Sequence, residues 1–213
     1  MDRVKNKVVI ITGAASGLGE ADARMLAAEG ARVVMTDINV DAGQTIANEI
    51  GATFYQQDVA LEESWHDLMG KVEEHYGQLD ALVNNAGVGI IADIETTTTE
   101  VWRKTLGIHL DGTFWGCQSA IALMKKSGGG SIINMSSTAA LVGIPSFLAY
   151  SAAKGGIRSM TKSIAIHCKQ QNLNVRCNSV HPGSINTPTR FTPGCEKLIR
   201  GLGTSPRRAK EGH

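Results

Sequence analysis

The sequence predicts an α/β fold built on one doubly wound parallel sheet, and three observations carry that expectation. Short β-branched runs alternate with longer helical patterns along most of the chain. Several of the short runs are apolar on successive residues, as strands covered on both faces are. The first of them runs straight into a glycine-rich turn and then a helix-forming stretch, an order that sets a turn at the C-terminal end of a strand, where such sheets bind ligands.

In chain order, the strand runs fall at residues 8–11, 32–35, 53–55, 81–83, 131–134 and 174–178. Val8, Val9, Ile10 and Ile11 make the first, and Val33, Val34 and Met35 the centre of the second. Helical stretches lie between them at residues 18–29, 41–50, 62–76, 100–126 and 150–170. We assign residues 1–190 to a single dinucleotide-binding and catalytic domain. Residues 191–213 are expected to form a truncated or atypical substrate loop with at most one short helix, then a frayed polar tail from about Gly203.

A chain of 213 residues, 42% hydrophobic, can bury a full core without disulfide or metal staples. Lys and Arg number 21 against 20 Asp and Glu, so there is no broad electrostatic footprint for nucleic acid or an anionic membrane. No run approaches the roughly 20 apolar residues that span a bilayer, and the N-terminus lacks a signal-peptide core. A cytoplasmic protein is expected. The four cysteines include no C-x-x-C pair, and Cys117, Cys168 and Cys177 read as packing residues; no metal site is expected.

The turn Thr12-Gly13-Ala14-Ala15-Ser16-Gly17-Leu18-Gly19 has the makings of a dinucleotide site. Glycines at 13, 17 and 19 let backbone approach a pyrophosphate, while the free N–H groups around Ser16 and Leu18 and the positive end of the following helix receive its charge. Asp37 ends the second strand, where a carboxylate meets the adenosine ribose hydroxyls; the alternative for it is a strand-end turn former. Asp37 would repel a 2′-phosphate, and Ile38-Asn39 supplies no arginine to receive one, so NAD is expected over NADP. Asp58 and Val59, at the third strand end, and Asn85, Ala86 and Gly87, at the fourth, fall where the same cofactor would lie. This is a Rossmann fold read from its first turn.

Tyr150 and Lys154 are spaced to share one helix face. A phenol with a pKa near 10 is a poor base at neutral pH, but an adjacent ammonium favours the phenolate, which then exchanges a proton with a substrate hydroxyl. Ser137, on the loop after the fifth strand, can hydrogen-bond the same oxygen. Alone, Tyr-x-x-x-Lys is a common accident of an exposed helix; after a complete nucleotide motif it is not.

Through these motifs, together with Pro182-Gly183-Ser184-Ile185-Asn186-Thr187, the chain from Lys5 to Thr189 resembles the short-chain dehydrogenase/reductase family. The resemblance implies that Tyr150 is the catalytic acid/base and Ser137 the substrate-orienting donor. It implies that Lys154 binds the nicotinamide ribose and lowers the tyrosine pKa, and that the Ile185 backbone and the Thr187 hydroxyl hold the carboxamide. Gly116-Cys117-Gln118 and Asn178-Ser179-Val180-His181-Pro182 look most like the bacterial 3β/17β-hydroxysteroid dehydrogenases. Two features depart from the family. His109 stands where the family has an asparagine that serves a proton relay, and the family's last strand with its oligomerisation surface has no counterpart, so the family's homotetramer is not expected. The function implied is an NAD-dependent oxidoreductase that interconverts a hydrophobic secondary alcohol, a hydroxysteroid among the candidates, and its ketone. The alternative is a catalytically impaired NAD-binding protein or a partner in a mixed oligomer.

Overall fold

Every residue of Val8–Thr12 is buried, and in a strand successive side chains point to opposite faces. Val8 and Ile10 accordingly enter one apolar cluster and Val9 and Ile11 another, which requires layers on both sides. The computed structural model describes residues 3–185 and supplies them. In chain order it contains β1 (Val8–Thr12), α1 (Gly17–Ala28), β2 (Arg32–Asp37), α2 (Val40–Ile50), β3 (Thr53–Gln56), α3 (Glu62–Tyr76), β4 (Ala81–Asn84), α4 (Thr99–Leu106), α5 (Gly112–Lys126), β5 (Gly130–Met135), α6 (Leu148–Gln170) and β6 (Val175–Val180).

The six strands pair in parallel in the order β3-β2-β1-β4-β5-β6. The chain winds outward from β1 to β3, then returns to lay β4 on the other side of β1 and winds the opposite way. Right-handed crossovers then put α1 and α2 on one face and α3, α5 and α6 on the other. Ala23, Ile46 and Ala47 pack the first face; Trp65, Leu68, Val72, Leu123 and Met124 pack the second. The reversal between β1 and β4 opens a crevice at their C-terminal ends, and that crevice positions the site.

This is the doubly wound sheet expected, with the six strands where the sequence put them. Most element ends shift by one or two residues, and two helices differ in ways that matter for the site. The stretch 100–126 is not one helix: α4, capped by the Thr98 hydroxyl accepting from the Val101 N–H at 3.2 Å, gives way to a π-helical turn Gly107–Asp111 before α5 begins. There the Gly112 N–H reaches back five residues to the Gly107 carbonyl, so the turn holds one residue more than an α-helix allows. Amphipathic spacing does not distinguish the two. Helix α6 begins at Leu148 rather than Tyr150, so Tyr150 lies in its first turn. Cys117, Cys168 and Cys177 are buried free thiols, as expected. No helix among the described residues is long and apolar enough to cross a membrane. Thr187, Cys195 and the tail lie outside the described residues.

Candidate active site

The glycine turn between β1 and α1 is built by contact as much as by backbone freedom. Gly13 and Gly17 have φ of +64° and +61°, a region that side chains rarely adopt. A Cβ on Gly13 would lie 2.7 Å from the Ala86 Cα, and one on Gly19 would fall on the Gly13 carbonyl oxygen. Ser16 precedes α1 without a side-chain capping bond, so among the described residues the first N–H groups of that helix have no side-chain partner beside a cleft lined by Gly13, Ser16 and Leu18. Gly17 and Gly19 shape the turn behind it. Asn85 braces the turn from β4: its Nδ2 donates to the carbonyls of Thr12, at 2.9 Å, and Gly13, at 3.2 Å. The Thr12 hydroxyl in turn accepts the N–H groups of Asn85 and Ala86, both at 3.0 Å.

Asp37 forms the strand-end turn and also reaches the cleft. One carboxylate oxygen accepts from the Ala15 N–H at 3.0 Å and the other from the Asn39 N–H at 2.9 Å, and the residue still lines the cleft. Asp58 lines it too, with one oxygen accepting from the Ala60 N–H at 2.9 Å, and Val59 and the exposed Ile38 add apolar surface nearby.

The cleft, about 760 Å³ and lined also by Ile185, runs past Ala86 and Gly87 to a second end where Ser137, Tyr150 and Lys154 meet. Three elements bring them together. Ser137 opens a 3-10 turn after β5, its hydroxyl oxygen accepting from the Ala139 N–H at 3.1 Å. Tyr150 is held by the start of α6, which is tied to the loop after β4: the Ala92 N–H donates to the Ser146 carbonyl and the Leu148 N–H to the Ala92 carbonyl. Lys154 follows one turn later, and the Ser136 hydroxyl donates to its carbonyl at 2.9 Å.

Burial pushes the Tyr150 phenol above its ordinary value, and the hydrogen bond from Ser137 acts in the opposite direction. Lys154 is 4% exposed, and burial pulls its ammonium down to about 7. Its Nζ donates to the Met135 carbonyl at 2.6 Å and lies 5.4 Å from the Tyr150 ring centroid. In this geometry desolvation outweighs the stabilisation of the phenolate expected from a neighbouring ammonium.

His109 sits in the π-helical turn, buried, with its ring edge-on to Tyr150 at 5.2 Å between centroids. Its Nε2 faces both main-chain groups of Val88, the carbonyl at 2.8 Å and the N–H at 3.1 Å, and Nδ1 has no hydrogen-bond partner among the described residues. Burial first, and the charge of Lys154 second, push its pKa down to about 3. The imidazole is therefore neutral throughout the physiological range, where a free histidine would titrate. Its carbonyl accepts from the Thr113 hydroxyl at 2.6 Å. A Cβ on Gly87 would collide with the His109 ring, so the small residue at 87 makes room for the large one at 109.

A model of the short chain dehydrogenase family matches residues 7–193, which span the sheet and both ends of this cleft. The chain belongs to the short chain dehydrogenase family. Among its relatives, an NADP-dependent (R)-specific alcohol dehydrogenase of Lentilactobacillus kefiri is 46% identical over 192 residues, covering 88% of this chain and 76% of the relative. A trans-4-hydroxycyclohexanecarboxylate dehydrogenase of Sinomonas cyclohexanicum is 44% identical, covering 96% and 80%. A 3-beta-hydroxysteroid dehydrogenase of Comamonas testosteroni is 41% identical, covering 88% and 74%.

This short chain dehydrogenase is an oxidoreductase of a family that binds a nicotinamide dinucleotide. Its cleft fits one: the turn at Gly13 leaves a cradle that side chains would fill, and helix N–H groups that Ser16 does not cap stand at one end of a channel whose other end holds a phenol and an amine. Val88 and Phe147 also line the cleft and His181 stands behind it, positions that the sequence does not mark as part of a site. Val88 and Phe147 read as ordinary apolar residues in a sequence. His181 belongs to the run Asn178 to Pro182, where the sequence does not say which way its ring turns.

Proposed function

We propose that this short chain dehydrogenase interconverts a hydrophobic secondary alcohol and the corresponding ketone with NAD as cofactor. The observation that carries the reading is the meeting of Ser137, Tyr150 and Lys154 at the end of a channel that begins at the glycine turn. Gly13, Ser16, Leu18 and Asp37 would hold the adenosine and pyrophosphate end, with Asp58, Val59, Asn85, Ala86 and Gly87 along the middle and Ile185 and Thr187 at the carboxamide. When bound, the nicotinamide ring supplies the hydride acceptor in oxidation and the donor in reduction. Tyr150 takes the hydroxyl proton in oxidation and returns it in reduction, and Ser137 orients the substrate oxygen. Lys154, released from the Met135 carbonyl, binds the ribose and presents its ammonium to the phenol.

NAD is favoured over NADP by the Asp37 carboxylate at the ribose end of the cleft. The apolar side chains of Val142, Ile144 and Phe147 beside Ser137 favour a substrate without charge near its carbinol. The hydroxysteroid and cyclic alcohol activities in the names of relatives add support for that class. Absorbance of the reduced nicotinamide, followed with NAD and with NADP against cyclopentanol, 1-phenylethanol and a 3-hydroxysteroid, tests both halves of the reading. Turnover with NADP alone overturns the cofactor assignment. Binding of either nucleotide without turnover of any alcohol or ketone favours the rival, a nucleotide-binding chain without catalysis, for which His109 is the motive.

A further inference from the structure

Behind Ser137, away from the cleft, a histidine from the end of β6 reaches the loop that carries the serine. His181 Nδ1 lies 3.1 Å from the Ser137 carbonyl oxygen, and its Nε2 lies 3.0 Å from the Ser179 hydroxyl. A carbonyl can only accept, so Nδ1 carries a proton in either charge state of the ring and donates it to Ser137. In the neutral ring Nε2 then holds the lone pair, and the Ser179 hydroxyl donates to it. Ser179 thus fixes the ring's orientation, and the ring fixes the carbonyl.

The surrounding backbone shows what this bond adds. The Ser136 N–H donates to the Val180 carbonyl at 2.8 Å and the Thr138 N–H to the Pro182 carbonyl at 3.0 Å, so the chain is zipped to the β6 segment on either side of Ser137. The Ser137 carbonyl itself takes the Ala140 N–H, at 3.0 Å, from inside its own turn. The imidazole is the side-chain bond that ties this carbonyl to the β6 segment. We propose that His181 is a positioning residue: by donating from Nδ1 to the Ser137 carbonyl, with Ser179 as its anchor, it sets where the Ser137 hydroxyl stands relative to Tyr150.

The proposal rests on the reading of Ser137 as the substrate-orienting donor, and its test separates the two. Tyr150 is faced by Lys154 from its own helix, by the neutral His109 from the π-helical turn, by Phe147 and by the Ser137 hydroxyl. Of these, His181 governs only the last. The chain has three tyrosines, so with 13Cζ-labelled tyrosine the phenol of Tyr150 can be followed by NMR titration, with Y150F giving the assignment.

S137A should raise the Tyr150 titration, because it removes the one bond that opposes burial. H181L should move it the same way and lower kcat with cyclopentanol about 10- to 100-fold, while KM for the dinucleotide holds. An asparagine amide nitrogen stands at the same distance along the side chain as Nδ1, and a glutamine nitrogen does not. H181N should therefore restore both readouts, and H181Q should behave like H181L. If S137A shifts Tyr150 while H181L leaves titration and turnover as in the unaltered protein, the proposal fails and the reading of Ser137 stands. Equal losses in H181N and H181Q also overturn it, since they point to packing rather than to the Nδ1 donor. No shift in S137A removes the reading of Ser137 and the proposal with it.

Discussion

Tyr150 and Asp37 each meet two demands at once, and their substitution separates those demands. Burial holds the Tyr150 phenol protonated, so its use as a base depends on partners that favour the phenolate. Replacing it with phenylalanine removes only the hydroxyl and leaves the ring against His109 and Phe147. Y150F should lose on the order of 10²- to 10⁴-fold in kcat while its affinity for NAD, titrated by tryptophan fluorescence, is unchanged. Asp37 holds the Ala15 and Asn39 N–H groups with the same carboxylate that lines the cleft. D37A should therefore weaken NAD binding and narrow the preference for NAD over NADP. Equal affinity of the unaltered protein for the two nucleotides would sink that assignment.

At the scale of the element, the π-helical turn converts a helix position into a buried one. The extra residue between Gly107 and Gly112 goes with a His109 that faces the core, and its Nε2 bonds to Val88 in the loop after β4. One ring nitrogen can serve either the Val88 carbonyl or the Val88 N–H, whereas an asparagine amide carries both a donor nitrogen and an acceptor oxygen. The buried ring also makes a claim about pH. Its folded pKa, about 3, is below the value near 6.5 of an unfolded histidine. Between those values the unfolded chain binds the extra proton, so the stability that comes with a neutral His109 is complete above pH 6.5 and is lost as pH falls towards 3. At about 1.4 kcal/mol per pH unit this amounts to at most about 5 kcal/mol. H109N should lack that part of the acid sensitivity, measured as the difference between urea-unfolding free energies of the two proteins at pH 6.5 and pH 4. Because the imidazole does not ionise between pH 5 and 9, the turnover profiles of the two proteins over that range should superimpose.

Across the whole molecule, the cleft draws on both halves of the sheet. The turn after β1 and Asp37 at the end of β2 come from one winding; the loops after β4 and β5 and helix α6 come from the other. A dinucleotide that spans the cleft couples them, and a ligand that binds only the folded state stabilises it by mass action. Dinucleotide at 100 times its Kd should add about 2.7 kcal/mol to the unfolding free energy, with a matching rise in Tm. NAD should produce the larger rise at equal concentration. No shift with either nucleotide would refute the cofactor site.

The sequence by itself determined the strands, their parallel pairing and the glycine turn. Each is written in local chemistry: runs such as Val8 to Ile11 that bury both faces, and glycines that no side chain can replace beside Ala86. It also named Ser137, Tyr150 and Lys154, because their spacing is short or their motifs dense. The tertiary structure decided what depends on distant segments. It broke the helix at Gly107, where the buried face of His109 is set by Val88 and Gly87 on another loop. It turned the Lys154 amine toward the Met135 carbonyl, 19 residues away in sequence, and gave Asp37 its bond to Ala15, 22 residues away. It set His181 against Ser137 across 44 residues. Periodicity reports which face of an element is apolar; which partner that face meets, and which of two nitrogens a proton occupies, is fixed only when the sheet brings the strand ends together.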